Sequence, residues 1–384
     1  MSNVVIRKVE NAQDYRLFFE FPWHHYKNDP HWIPPLLSQR RDLLDKKKNP
    51  AWEYMEGDYF IALKNGEIVG TIVGFINHHH NDHNKEHIGW FGMYETINDP
   101  DVSNALLKTA CDYVQSRGYD AIRGPQNFTS HEETGLLVEN FSPPQVLMPY
   151  NPPYYQTLLE QADFVGVMDV YSVYQDRDII RRNNTLERFG KIAQRAIEKS
   201  GITIRPLDIK RKKQEFEIFK EIYNSAWNDN WGFHPFTPRE LDALVASLGQ
   251  FVDPKLAFFA EANGKPAGFA LAIPNLNESL QFAYPRPGIP EIWSLLKVFY
   301  HWQIAKKIKS TRLPLMGVIP EHRNKGADLA LMHALLAAML PMQYDYMDAG
   351  WILKINPLMS IIGKVEGKPY KTHRFYEKSL KPKA

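Results

Sequence analysis

The sequence predicts an α/β (α+β) protein made of two tandem copies of one unit, each a twisted mixed sheet flanked by helices. Three observations carry this. First, segments of period two and of period 3.6 alternate along the 384 residues, and the second half repeats the order of the first at a spacing of roughly 180 residues. Second, each half holds an Asn-Gly hairpin, Lys64-Asn65-Gly66-Glu67 and Asn263-Gly264, the dipeptide that the tight turns of two-residue hairpins favour. Third, each half has an apolar strand that runs through a turn into an apolar-periodic helix, most plainly at Val318-Ile319-Pro320-Glu321-His322-Arg323-Asn324-Lys325-Gly326-Ala327-Asp328.

Taken in order, Val4 to Val9 reads as a strand and Tyr15 to Tyr26 as an amphipathic helix ending in an aromatic cluster. Prolines stiffen an irregular stretch from Asp29 to Pro35. Tyr59 to Leu63, Ile68 to Ile76 and Ile88 to Tyr94 are strands. Val102 to Arg117 is a helix with Leu106, Leu107, Ala110, Cys111 and Val114 on one face, stopped by Gly118. In the second half Ile202 to Leu207 is a strand, Glu215 to Trp227 and Pro238 to Leu248 are helices, and Leu256 to Ala262 and Ala267 to Ile273 are strands. Leu313 to Ile319 is a strand, Ala327 to Leu340 a helix, and Tyr346 to Ile355 and His373 to Leu380 are strands. The basic stretch Arg177 to Ser200 reads as a connecting helix. The expected organisation is a first unit at residues 1–176, a connector at 177–201 and a second unit at 202–384.

Composition narrows the function classes. Hydrophobic residues at 44% and charged residues at 23% are those of a globular chain. Lysine plus arginine (46) nearly balance aspartate plus glutamate (44), so there is no global nucleic-acid signature. One cysteine, Cys111, rules out an intrachain disulfide framework and fits a reducing cytoplasm. The N-terminal residues lack a signal-peptide apolar core, and no apolar run reaches about 18 residues. A cytoplasmic location is expected, with peripheral contact at the inner membrane face as a further expectation.

The turn at Arg323 to Asp328 combines free backbone amides with a helix N-terminus, the geometry that receives a pyrophosphate. It resembles the Arg/Gln-x-x-Gly-x-Gly/Ala signature of the GCN5-related N-acetyltransferase (GNAT) superfamily. That resemblance covers most of the chain and implies an acyl-CoA co-substrate, acetyl-CoA or a longer acyl-CoA, and no metal. It further implies that the amides of Asn324, Lys325, Gly326, Ala327 and Asp328 hold pyrophosphate beside Arg323, while Val318 and Ile319 offer backbone groups to the pantetheine arm. Asp328 departs from the motif, standing where the family has Gly or Ala. The corresponding junction of the first copy, Thr96 to Val102, carries Asp99, Pro100 and Asp101 and reads as a helix cap rather than a phosphate cradle. Only the second copy is therefore expected to bind CoA, and the first is degenerate.

The family also places an asparagine after the next strand, here Asn356, and seven residues later a tyrosine that protonates the leaving thiolate. This sequence has Gly363 there, so Tyr376 or Tyr370 is the substitute to consider, with packing as the alternative role for a tyrosine in a terminal strand. For the base that takes a proton from an attacking ammonium, the candidates are His234, in the aromatic loop Asn230 to Phe236, and Glu132 or Glu133. Those glutamates lie in the glycine-bracketed polar run Gly124 to Gly135, which reads either as a site or as a surface loop.

Two further segments stand out. His78, His79, His80, His83 and His87 lie in Asn/Asp-rich sequence with no cysteine and no helical His-x-x-x-His carrying a glutamate, and read as a solvated hairpin loop rather than a metal site. Ile292 to Arg312 reads as an inserted helix, basic at its C-terminal end. It suits a membrane surface or an acyl groove, or else a core helix with lysines at its negative end.

The sequence also resembles a bacterial tandem-GNAT family with Asn-Trp-Gly-Phe, Gly-Pro-x-Asn-Phe and Trp-Ile-Leu segments, which includes bacterial ceramide synthases. The implied activity is direct acyl transfer from acyl-CoA to a primary amine, either a small molecule or a lipid of the sphingoid type. A catalytically inactive CoA-binding or interaction protein of the same fold is the alternative.

Overall fold

In a computed structural model, which describes residues 3–130, 132–249 and 251–381, β1 (Val4–Lys8) leads into α1 (Ala12–His25) and α2 (Leu37–Leu44). The hairpin β2 (Met55–Lys64) and β3 (Glu67–Asn77) follows, then α3 (His78–Asn84), β4 (Ile88–Thr96) and α4 (Pro100–Ser116). Next come β5 (Ala121–Gly124), β6 (Leu136–Glu139), α5 (Tyr154–Gln161) and β7 (Val165–Asp176). The chain continues through α6 (Arg177–Arg182), α7 (Thr185–Ser200), β8 (Ile202–Pro206), α8 (Lys212–Trp227) and α9 (Pro238–Leu248). A second hairpin, β9 (Ala257–Ala262) and β10 (Lys265–Pro274), precedes α10 (Asn277–Ala283) and α11 (Glu291–Phe299). Then β11 (Ser310–Val318), α12 (Ala327–Met339), β12 (Tyr346–Leu353), α13 (Met359–Ile362) and β13 (Gly367–Ser379) complete the order.

The chain divides into two units that are not contiguous in sequence. The first comprises Met1–Val170, Ser279–Tyr300 and Lys371–Ala384, and the second comprises Tyr171–Glu278 and His301–Tyr370. Unit 1 orders its strands β1-β2-β3-β4-β5-β13, with β6 also on β13. Unit 2 orders them β8-β9-β10-β11-β12, with β7 beyond β12. These units are drawn differently from the linear division at 176 and 202, and the reason is long-range pairing. Tyr376 pairs with Gly124 across β13 and β5, and Arg123 donates to Glu377, 254 residues away. In the same unit α10 and α11 bring Leu280, Ala283 and Val298 onto Ile33 and Leu36, and Trp23 donates its indole N–H to the Pro285 carbonyl at 2.7 Å.

Both hairpins form as their turn residues dictate. Asn65 and Gly66 take φ of 56° and 86°, and Asn263 and Gly264 take 52° and 76°, the left-handed pair of a type I′ turn. The apolar stripe of α4 buries Val102, Leu106, Leu107, Ala110 and Val114 in the unit 1 core, each of the larger side chains contributing about 1.5–3 kcal/mol. In unit 2, α12 buries Ala327, Leu331, Leu335, Leu336 and Met339. The basic stretch before β8 is two helices, and α7 buries Phe189 and Ala193, so it belongs to the fold of unit 2 rather than being a bare connector.

Two sequence expectations are corrected. The histidine-rich segment is a helix, capped by the Asn77 side chain on His80 N–H, and not a solvated loop. His80 is 1% exposed, its Nε2 lies 2.7 Å from Glu86, and Arg123 grips both oxygens of Glu86 at 2.9 Å. A buried imidazole with a carboxylate partner is core chemistry that side-chain polarity alone conceals. The inserted helix is also shorter than expected: α11 stops at Phe299, a π-helical turn covers Tyr300–Ile304, and β11 already starts at Ser310. Only Ser294 and Val298 of α11 are buried, so it is not a core helix. No helix among the described residues is long and apolar enough to cross a membrane.

Candidate active site

In unit 2 the parallel strands β11 and β12 pair only from Ser310↔Tyr346 to Leu313↔Ala349. Beyond Leu313, β11 continues to Val318 while paired with β10 alone. Pro314, which has no N–H, stands at the first position past the pairing, as suits an edge. The edge so left spans five residues, about 17 Å of backbone. It ends at the signature turn, where Asn324 and Gly326 take φ of 59° and 91°. Among the described residues no hydrogen bond engages the backbone amides of Asn324 to Leu329. Consecutive free N–H groups at a helix N-terminus form an anion-binding concavity.

The side chains of the turn do other things. Arg323 donates to the Val318 carbonyl (3.3 Å) and to the Ala226 carbonyl at the end of α8 (3.0 Å), and pairs with Asp229 at 3.1 Å. It therefore ties the end of β11 to α8. Gly326 is also required by packing, because a Cβ there would lie 2.3 Å from the Ala196 Cβ on α7. Ser200 of the same helix donates to the Lys325 carbonyl at 2.9 Å. Asp328 is half-buried in the first turn of α12. Val318 is buried, and Ile319 donates its N–H to the Ala267 carbonyl at 3.0 Å. Asn356 caps its own turn, accepting from Leu358 N–H at 2.9 Å. The backbone from Val318 to Leu329 thus fits a pyrophosphate and its arm, while the Arg323 guanidinium is committed elsewhere.

Where β11 and β12 part, Arg312 and Asp348 are 2% and 0% exposed and lie 3.6 Å apart. Tyr370 donates to the other Asp348 oxygen at 2.7 Å. Burial, and then the Asp348 charge, hold the Tyr370 hydroxyl far above its ordinary pKa, so it keeps its proton. At Gly363, where the family tyrosine is expected, an added Cβ would meet nothing within 4 Å.

Unit 1 fills the equivalent opening with its own chain. β4 and β5 pair from Ile88↔Ala121 to Trp90↔Arg123. The polar run after Gly124 then closes against β4: Gln126 donates its N–H to the Phe91 carbonyl at 2.9 Å, and Asn127 Oδ1 accepts from Met93 N–H at 2.9 Å. Gly92 leaves the room for this, since a Cβ there would lie 1.9 Å from the Gln126 carbonyl oxygen. The helix that follows β4 is capped by Asp99, which accepts from Asp101 N–H at 3.0 Å, with Pro100 in its first turn.

Two residues beyond Met93 lies a group that the sequence reading did not single out. Glu95 Oε2 accepts from the hydroxyls of Tyr26 (2.6 Å) and Tyr155 (2.8 Å), and Tyr155 in turn lies 3.0 Å from His25 Nε2. Glu95 Oε1 takes no hydrogen bond among the described residues. Burial pushes the Glu95 carboxyl up to about 7, against the two tyrosine hydrogen bonds and Arg40, with Glu133 adding to the rise. Burial also lowers His25 to about 4, opposed by Asp29, so that imidazole is neutral. A carboxylate with a pKa near neutrality can bind a cation and exchange a proton with it.

His234 lies in unit 2, buried in the loop between α8 and α9 beside Phe233 and Phe236. Glu132 and Glu133 are exposed and lie in unit 1, and His131 between Ser130 and Glu132 is outside the described residues. Tyr376 is in unit 1, 1% exposed within its core, and donates to Glu160 at 3.0 Å. Burial, then Glu160, push its pKa up to about 12. Tyr370, by contrast, shares unit 2 with the signature turn. No group of three or more histidine, cysteine or carboxylate side chains suited to a metal occurs among the described residues.

No family model matches the chain. A protein named bacterial ceramide synthase from Caulobacter vibrioides (strain NA1000 / CB15N) is 34% identical over 385 residues, covering 97% of this chain and 96% of that protein. Protein YghO of Escherichia coli (strain K12) is 31% identical over 386 residues, covering 98% and 95%. Among solved structures, a tandem GNAT protein from the clavulanic acid biosynthesis pathway aligns with a TM-score of 0.54 at 10% identity, covering 99% of this chain and all of its own (100%). A GCN5-related N-acetyltransferase from Sphaerobacter thermophilus aligns at 0.51 and 10% identity, covering 100% and 97%. The chain has the tandem GNAT fold, and by its identity to the two full-length relatives it belongs to the family of the bacterial ceramide synthase and YghO.

Proposed function

We propose that the protein is an N-acyltransferase that moves an acyl group from acyl-CoA directly to the primary amine of a long-chain, sphingoid-type acceptor. The observation that carries the reading is the open edge of β11 from Pro314 to Val318, leading into the unengaged amides of Asn324 to Leu329. An arm laid along that edge would add as a strand, with its diphosphate on the α12 N-terminus. The ceramide synthase relative supports an amine acceptor with a long chain.

In this reaction the neutral amine attacks the thioester carbonyl, a C–N bond forms and the C–S bond breaks. The ammonium must first give up a proton, and the departing thiolate must take one. Tyr370, protonated and in the same unit as the turn, is the acid candidate that the fold favours over Tyr376. For a lipid acceptor, the exposed apolar face of α11 supports peripheral contact with a bilayer as part of this reading.

A second reading, a CoA-binding protein without turnover, draws on Gly363 and on the commitment of Arg323 to α8. Thiol release from palmitoyl-CoA, with and without sphinganine, separates the two, alongside calorimetry with CoA. Release that depends on sphinganine is expected. CoA binding without any such release would leave the second reading standing, and no CoA binding at all would remove both.

A further inference from the structure

We propose that unit 1 carries the site that receives the acceptor's ammonium, with Glu95 as its anchor. The inference rests on the N-acyltransferase reading for the identity of the amine as acceptor. It stands on geometry within one unit.

Glu95 is the penultimate residue of the buried strand β4, and its two oxygens are treated differently. Oε2 is fixed by the Tyr26 and Tyr155 hydroxyls, while Oε1 is left without a protein donor among the described residues. The large majority of buried side-chain polar atoms have at least one hydrogen-bond partner, from the protein or from water. A carboxylate held rigidly through one oxygen and open at the other is arranged to accept a donor that the protein does not supply.

The surroundings define that donor as a compact cation. Tyr26 stacks on Trp32 with ring centroids 5.1 Å apart, Tyr154 and Tyr155 meet edge-on at 5.1 Å, and His25 lies edge-on to Tyr26 at 4.6 Å. Aromatic groups beside a carboxylate favour an ammonium by cation–π attraction. A metal would need further ligands, and no group of three or more such side chains occurs among the described residues. The charged groups that face Glu95 are Arg40 on α2 and Glu133 in the polar run. Arg40 donates to the Phe18 and Phe19 carbonyls and lies over the Phe19 ring, so its hydrogen bonds are committed to α1 and none goes to Oε1, although its charge acts on Glu95. Glu133 adds a second negative charge. The imidazole and the phenols bring none.

The test uses the full chain with dodecylamine as probe and dodecanol as the uncharged control, by calorimetry between pH 6 and 8. Dodecylamine stays charged throughout this range, while the ionised fraction of a carboxyl titrating near 7 rises from about 0.1 to about 0.9. Wild-type affinity for dodecylamine should therefore rise about ninefold with pH, and Glu95→Gln should lower it at least tenfold at pH 8 and flatten the profile. Dodecanol binding should not change in either respect. Glu95→Gln keeps an acceptor for both tyrosines. Should it still fail to fold, Tyr26→Phe removes one donor and should move the midpoint of the amine profile to higher pH. Equal dodecylamine affinity in wild type and Glu95→Gln, or a profile independent of pH, would overturn the proposal. CoA affinity measured on the same preparations should be unchanged by Glu95→Gln. A wild type that binds the amine but not CoA would overturn the acyl-CoA reading and leave the ammonium site in place.

Discussion

A carboxylate in the first turn of α12 is favoured by the helix dipole and disfavoured by any pyrophosphate placed on the same amides. Asp328 is that carboxylate. Asp328→Ala should therefore tighten CoA binding several-fold by calorimetry while lowering stability by about 0.3–1 kcal/mol. Unchanged affinity would mean that the diphosphate does not sit on these amides. At this scale the sequence was legible wherever one residue type has one job: Asn65-Gly66 and Asn263-Gly264 announced their turns, and Asp99-Pro100 announced a cap. Glu95 was not legible, because nothing in Met93-Tyr94-Glu95-Thr96 shows that Tyr26 and Tyr155, 69 and 60 residues away, will converge on it. Nor could a motif show that Arg323 spends its guanidinium on Ala226 and Asp229.

At the scale of elements, α7 and α12 are locked together at the signature turn. Gly326 combines a left-handed φ of 91° with a 2.3 Å approach to Ala196, so Gly326→Ala should cost at least about 1–3 kcal/mol, read as a lower urea midpoint. A variant as stable as wild type would mean that α7 can shift away. On α11, Trp293, Leu296 and Phe299 are 59%, 52% and 55% exposed, and Lys297 of the same helix and Arg286 of the preceding loop are exposed as well. Glu291, the helix's own acid, is held by Ser38 N–H and hydroxyl. An apolar helix face with cationic neighbours suits an anionic bilayer. Trp293→Glu with Leu296→Glu should abolish co-sedimentation with phosphatidylglycerol vesicles, and retained sedimentation would count against that face. Helices with a clean apolar stripe, such as α4, could be read from period alone. The helix α3 could not, since Asn and His carry no such stripe and its one buried imidazole is satisfied by Glu86.

For the whole molecule, two glutamates bend the pH dependence in opposite senses. Burial acts to raise the pKa of Glu86, but hydrogen bonds from His80 and Arg123 outweigh it and lower the carboxyl from 4.5 to about 2. Its contribution is present above 4.5 and lost as pH falls towards 2. Glu95 is raised from 4.5 to about 7; it binds a proton more tightly folded than unfolded, so the stability it contributes is complete below 4.5 and lost as pH rises through 7. Each swing is on the order of 3 kcal/mol. Chemical denaturation across pH should accordingly show Glu86→Gln losing stability at pH 6, and Glu95→Gln gaining on wild type between pH 5 and 8. A Glu95→Gln difference that does not vary with pH would mean that the carboxyl titrates normally. The tandem architecture was legible because the order of elements repeats. The interleaving of the units was not, because strand partners 254 residues apart leave no local trace.

That interleaving reaches into how the molecule is made. The strand that pairs with Ala121–Gly124 is drawn from Tyr376 to Ser379, and Glu377 is made 254 residues after its partner Arg123, so unit 1 cannot finish folding until the residues of unit 2 have also been made. A chain ended after Tyr370 should lose native structure in its N-terminal half, seen as protease cuts between β1 and β5. A gene cut between 176 and 177 should give two fragments of which neither folds alone.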